Sequence, residues 1–150
     1  MYIRTASSSE APVLSDLAFR SKAHWGYDDD FMARCRDDLK VPESDCDAGF
    51  VKVADDNGTL AGFYRISGAQ IDGKLEDLFV DPTYLGTGLG KELLNASVEH
   101  ARMLGFIALE IHADPNAESF YLHMGAQRIG AMPSGSIPGR ELRLLTLIVQ

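Results

Sequence analysis

The sequence predicts an α/β fold of the mixed-sheet kind, a central mixed β-sheet flanked by about four helices. Three observations predict it. The apolar residues Leu75, Leu78, Phe79 and Val80 form a buried-strand run that Asp81-Pro82 stops. A glycine-rich loop, Leu85-Gly86-Thr87-Gly88-Leu89-Gly90, then leads straight into a helical pattern with Leu89, Leu93, Ala96, Ala101 and Leu104 on one face. Beyond Gly105, the alternation of Ile107, Leu109 and Ile111 marks another strand. A strand, a helix and a strand in that order form a parallel crossover unit.

The remaining elements follow in chain order. Tyr2 to Ala6 alternates as a short strand. Ser8 or Ser9 caps a first helix, with Glu10 in its first turn, Pro12 near its start, and Val13, Leu14, Leu17 and Ala18 as its buried face. The helix ends in Lys22 to Tyr27, and Asp28-Asp29-Asp30 opens a second one carrying Phe31, Met32, Cys35 and Leu39 at helical spacing. Phe50–Ala54 and Leu60–Ile66 flank Asp55-Asp56-Asn57-Gly58, a strong hairpin signal. Gly68 to Gly73 turns the chain into the central strand at about Lys74. After the crossover come a short helix from Asn116 to Met124, a strand from Ala126 to Gly130, a polar loop from Pro133 to Gly139, and a last strand from Leu142 to Val149.

At 150 residues the chain is expected to form a single domain, 1–150. Its net charge of −8 argues against nucleic acid as a partner. The same charge means that an anionic ligand must be held by local N–H groups. Cys35 and Cys46 match no metal-ligand spacing, so no metal site is expected, and both read as free thiols in a cytoplasmic protein. No apolar run is long enough to span a membrane and no signal-peptide pattern opens the chain, so no membrane partner is expected.

The physics of a glycine loop opening a helix is anion binding. First-turn N–H groups have no intrahelical partner, and the helix dipole adds roughly +0.5 charge there. Glycines let a phosphate approach the backbone. Two common phosphate loops fail on spacing. A Walker A loop requires glycine where Leu85 stands and Ser or Thr where Glu92 follows Lys91. The dinucleotide fingerprint fails because Gly90 comes one place too early after Gly86 and Gly88.

Val80-Asp81-Pro82 followed by Leu85-Gly86-Thr87-Gly88-Leu89-Gly90 resembles the acetyl-CoA-binding segment of the GNAT superfamily of N-acetyltransferases, whose pattern is [RQ]-x-x-G-x-[GA]. Gly88 and Gly90 match it; Leu85 stands where the family has Arg or Gln. A second family block, a helix of N-x-x-A-x-x-[FY]-[FY] type, is similar to Asn116 through Ala126. The resemblance covers about the last half of the chain and implies acetyl-CoA as cosubstrate. It implies a pantetheine arm pairing with the backbone of the central strand at Leu78, Phe79 and Val80, where two parallel strands splay apart. The phosphates then meet the loop from Leu85 to Gly90, with Lys91 close by and Asn116 toward the pantetheine.

Acetyl transfer from a thioester to an amine needs a proton acceptor, oxyanion donors and a proton source for the leaving thiolate, because only roughly one alkyl amine in a thousand is unprotonated at neutral pH. Glu76 is the candidate base and Asp77 the alternative; consecutive strand residues face opposite sides, so without a bulge at most one of the two faces the cleft. The N–H groups near Phe79 and Val80 are candidate oxyanion donors. His112 is a second candidate base. The resemblance implies that Tyr121 protonates the departing thiolate, with Phe120 in the core, and that Trp25 and Tyr27 border the acceptor together with the loop from Pro133 to Arg140. Trp25 equally suits a core anchor, and Asn116 equally suits a helix cap.

The expected function is N-acetyltransferase: an acetyl group moves from acetyl-CoA to a primary amine, on a small molecule or a peptide, by direct transfer in a ternary complex. No Cys–His or Ser–His spacing recommends a covalent intermediate. The alternative is a non-catalytic acyl-CoA-binding sensor or partner module, for which Leu85 leaves room. The apolar run Leu142 to Val149 is also compatible with a homodimer.

Overall fold

The computed structural model describes residues 1–69 and 71–149. In chain order the elements are β1 (Tyr2–Thr5), α1 (Ala11–Ala23), α2 (Asp29–Cys35), α3 (Glu43–Asp47), β2 (Val51–Asp56), β3 (Thr59–Ala69), β4 (Asp72–Val80), α4 (Leu89–Met103), β5 (Ala108–Ala113), α5 (Glu118–His123), β6 (Gln127–Pro133) and β7 (Glu141–Ile148). Single 3-10 turns stand at Ser8–Glu10, Asp37–Leu39 and Pro82–Tyr84. Among the described residues, seven strands form one sheet in the order β1-β2-β3-β4-β5-β7-β6. β4 and β5 are parallel, as the crossover predicts; β1 with β2, β2 with β3, β5 with β7 and β6 with β7 are antiparallel. This is the mixed α/β sheet that the sequence predicts.

The chain divides into two compact units, Met1–Arg65 with Asp77–Leu94, and Ile66–Glu76 with Asn95–Gln150. In the first, Leu14, Leu17 and Ala18 of α1, Val51 and Val53 of β2, Ala61 and Phe63 of β3, and Leu93 of α4 are fully buried. Burying a side chain of this size stabilises by about 1.5–3 kcal/mol. Gly62 is required by contact: a Cβ there would stand 2.8 Å from the Phe79 carbonyl oxygen and 2.9 Å from a Leu93 methyl. In the second unit the core holds Ala101, Leu109, Ile111, Leu145 and Val149. Gly73 lies against Phe106, whose ring would be 2.4 Å from an added Cβ.

Several elements differ from expectation. The first helical turn is capped by Ser7 rather than Ser8 or Ser9; the Ser7 N–H donates to the Glu10 carboxylate at 2.9 Å. Val13 is half exposed, and Ala11 takes its place on the buried face. Leu39 is buried from a separate 3-10 turn, not from α2. The short helix α3 was not anticipated, since Cys46 is its one buried residue and a single position carries no period. β3 runs on to Ala69 and β4 begins at Asp72, so both strands penetrate the expected Gly68–Gly73 turn; Gln70 in that turn lies outside the described residues. On α4 the buried face is Leu89, Leu93, Leu94, Ser97 and Ala101, whereas Leu104 lies past the helix and is exposed. β6 extends past its expected end at Gly130 to Pro133, which pairs with Glu141. Cys35 and Cys46 are both buried and are not joined in a disulfide, and burial raises the Cys46 thiol above its ordinary value. Among the described residues, no helix is long and apolar enough to cross a membrane.

Candidate active site

The site is built outward from β4. Side chains alternate along it: Gly73, Leu75 and Asp77 are buried, while Lys74, Glu76 and Leu78 are partly exposed on the other face. The parallel ladder with β5 covers Asp72–Leu75 against Ala108–Ile111. β4 runs on past the last rung, from Glu76 to Val80.

Glu76 and Asp77 have different surroundings. Asp77 Oδ2 accepts a hydrogen bond from Arg65 Nε at 2.7 Å, and Arg65 Nη1 donates to Asp45 at 2.9 Å. Asp77 is 8% exposed. Glu76 is ion-paired with Lys74, two residues earlier on its own face, at 2.8 Å. The buried Asp77 is thus committed to the Arg65 guanidinium, and Glu76 is the carboxylate of the two held at a partly open face.

The turn after β4 is held by Asp81. Its N–H donates to the Ala61 carbonyl at 2.8 Å, and its carboxylate accepts from the Thr83 N–H at 3.0 Å, the Thr83 hydroxyl at 2.8 Å and Arg20 Nη2 at 2.7 Å. Partial burial pushes this carboxyl up, but the hydrogen bonds from Arg20 and Thr83 outweigh it and hold Asp81 below the ordinary carboxylate range. Tyr84 donates its hydroxyl to Asp56 at 2.7 Å, and that carboxylate raises the phenol's pKa. The Thr87 hydroxyl closes the loop on the Tyr84 carbonyl at 2.6 Å.

Beyond this frame stand Gly86 and Gly88, with φ of 78° and 86°. L-residues with a side chain rarely adopt that backbone, and a Cβ at either glycine would meet nothing within 4 Å. The glycines therefore serve conformation and leave open space over the loop. The first helical bond of α4 runs from the Glu92 N–H to the Gly88 carbonyl at 3.1 Å, so the N–H groups of Leu89, Gly90 and Lys91 precede it. Leu85 is half exposed and Lys91 is exposed. An oxyanion-bearing group fits this donor set: several backbone N–H groups, the positive end of a fifteen-residue helix, and one lysine in its first turn.

Tyr121 lies on α5 and is buried, its ring edge-on to Phe120 with centroids 5.2 Å apart. Phe120, expected in the core, is only half buried. Asn116 does not cap α5, because Ala117 occupies the cap position; the Asn116 N–H instead donates to Asp114 Oδ1 at 2.8 Å. His112 sits 3.0 Å from the Glu110 carboxylate on β5. Trp25 is 52% exposed, which removes the core-anchor reading. Tyr27 stacks on Phe31 with centroids 3.9 Å apart, and Lys22 lies 5.5 Å over its ring.

Residues 16–126 match the acetyltransferase (GNAT) family model. The chain belongs to that family. This GNAT chain is 30% identical over 117 residues to glucosamine 6-phosphate N-acetyltransferase 1 of Oryza sativa subsp. japonica, covering 78% of this chain and 67% of that protein. It is 36% identical over 81 residues to mycothiol acetyltransferase of Propionibacterium freudenreichii subsp. shermanii, covering 51% of this chain and 26% of that protein. The GNAT chain thus spans about a quarter of that relative's length. The crystal structure of PaiA N-acetyltransferase from Thermoplasma acidophilum, in complex with coenzyme A, matches with a TM-score of 0.79 at 17% identity, covering 98% of each chain. At that identity the likeness shows the fold.

In this GNAT chain the predicted loop residues Leu85 to Lys91 stand together in the first unit, as do Leu78, Phe79, Val80, Trp25 and Tyr27. Glu76, Asn116 and Tyr121 belong to the second. Sequence reasoning missed the supports: Arg65 beside Asp77, Arg20 beside Asp81, and Arg140 beside Asp114 at 2.9 Å. The Asp-Pro-Thr step was readable as a capped turn. The three arginine partners, far away in sequence, carried no local signal.

Proposed function

We propose that the protein is an acetyl-CoA-dependent N-acetyltransferase that transfers acetyl to a primary amine directly, in a ternary complex. The observation that carries this reading is the loop between β4 and α4, with two left-handed glycines under open space and first-turn N–H groups ahead of the first helical bond. Membership of the GNAT family supports it, and so does the complex of the structurally similar PaiA N-acetyltransferase with coenzyme A.

Acetyl-CoA supplies an activated acyl thioester. The loop from Leu85 to Gly90, with Lys91, holds its phosphates. The β4 backbone at Leu78, Phe79 and Val80 runs past the last rung of the ladder and carries N–H groups for the pantetheine and the oxyanion. Glu76 accepts the amine's proton, directly or through water; Asp77 is spent on Arg65. Tyr121 donates a proton to the thiolate sulfur as the C–S bond breaks, and Asn116 contacts the pantetheine arm. Trp25 and Tyr27 border the acceptor, a small-molecule or peptide amine.

Calorimetric titration with acetyl-CoA, with ATP and NAD as controls, tests the reading first. Binding of acetyl-CoA alone supports the cradle and leads to a screen of amines for release of free CoA. Preference for ATP or NAD overturns it. Binding without turnover of any amine points to the acyl-CoA-binding module instead.

A further inference from the structure

The carboxylate of Asp114, just after β5, is shared between two segments of the second unit. Oδ1 accepts the Asn116 N–H at 2.8 Å, and the Asp114 carbonyl accepts the Ala117 N–H at 2.8 Å. These two bonds form the turn that launches α5, the helix carrying Tyr121. Oδ2 accepts from Arg140 Nη2 at 2.9 Å. Arg140 ends the loop between β6 and β7, and the rest of that loop folds on itself: the Ser134 N–H donates to the Arg140 carbonyl at 2.7 Å, the Ile137 N–H to Ser134 Oγ at 3.2 Å, and the Arg140 N–H to the Ile137 carbonyl at 3.3 Å.

The side chains of Asp114 and Arg140 are 14% and 15% exposed. A charged hydrogen bond this sheltered from water holds its geometry better than a surface pair does. The loop itself holds Pro138 and two glycines, Gly135 and Gly139, with Gly139 at φ 79°. It lacks a regular element of its own, and the tie to Asp114 anchors its end to the turn before α5.

We propose that Asp114 and Arg140 are positioning residues for the acetyl transfer: one carboxylate sets the start of the helix that bears the proton donor and, through Arg140, the loop that borders the acceptor amine. The proposal rests on the acetyltransferase reading above. Its specific consequence is a division of labour between the two carboxylate oxygens. Asp114→Asn and Arg140→Met release the loop and keep the α5 turn, because an asparagine amide oxygen still accepts the Asn116 N–H. Asp114→Ala releases both.

Amide hydrogen exchange, read by mass spectrometry on the full chain, tests the tie. Arg140→Met and Asp114→Asn are expected to speed exchange at 134–140 about tenfold while leaving 116–121 unchanged, and Asp114→Ala to speed both. Turnover with acetyl-CoA, using tyramine and a Ser-Ala-Gly-Ala tetrapeptide as acceptor probes, tests the role. Arg140→Met is expected to raise the acceptor KM about tenfold with the acetyl-CoA KM unchanged, and Arg140→Lys to recover part of that loss. Unchanged exchange at 134–140 in Arg140→Met overturns the tie. A fall in kcat alone, with acceptor KM intact, overturns the acceptor-side role. If wild-type protein binds acetyl-CoA but acetylates neither probe, the exchange pattern alone decides the tie, and the amine screen decides the acetyltransferase reading.

Discussion

Asp77 Oδ2 lies 2.7 Å from Arg65 Nε, on the face of β4 opposite Glu76. That ion pair separates two adjacent carboxylates which are equivalent in sequence. Losing Asp77 takes a 2.7 Å carboxylate partner from the mostly sheltered Arg65 guanidinium, which is 14% exposed at its side chain and also donates to Asp45 at 2.9 Å. Asp77→Asn is expected to cost about 3 kcal/mol of stability, measured by urea unfolding. Glu76→Gln, which removes only a partly exposed pair with Lys74, is expected to change stability by about 0–1 kcal/mol and to lower turnover about a hundredfold. The reverse pattern would assign the base to Asp77.

Tyr121→Phe removes a hydroxyl from a buried ring and keeps the ring packing against Phe120. Turnover is expected to fall about a hundredfold, with acetyl-CoA affinity near normal by calorimetry. Equal turnover in the variant would take Tyr121 out of the mechanism.

Gly88→Val places a β-branched residue at φ 86° and a side chain in the open space over the loop. Acetyl-CoA binding is expected to be lost, and local strain is expected to cost about 1–3 kcal/mol of stability. Far-UV circular dichroism keeps the two effects apart, and retained binding in a folded variant would refute the phosphate cradle.

The Arg4 guanidinium donates to Glu10 at 2.9 and 2.7 Å and to Asp55 at 2.9 Å. The Arg4 hydrogen bonds hold the Glu10 carboxyl down, from 4.5 to about 2. As pH falls below 4.5, the unfolded chain takes up this proton first, so folding stability declines until the folded carboxyl also titrates near pH 2. Asp55, held low by the Gly58 N–H and by Arg4, adds to the same trend. Urea midpoints at pH 6 and pH 3 are expected to differ more in the wild type than in Arg4→Met, and equal differences would remove this network from the acid response.

Local signals carried most of the fold. Asn57-Gly58 turns β2 into β3 with φ of 52° and 93°, as a two-residue hairpin demands. Asp28 caps α2 by accepting the Phe31 N–H at 2.8 Å. Missed elements were those with too few apolar positions to make a period, such as α3, or with a turn shorter than its glycines suggest, such as the approach to β4.

The sequence by itself determined the strand–loop–helix order at β4 and α4, the glycine-rich loop between them and the family, because all of these rest on neighbours in the chain. Only the tertiary structure decided that Asp77 belongs to Arg65, that Asp114 belongs to Arg140, and that Trp25 stands in solvent. A carboxylate's role depends on which charge reaches it and on how much water remains. Sheet pairing and packing set both through residues tens of positions away, so no local pattern in the chain records the outcome.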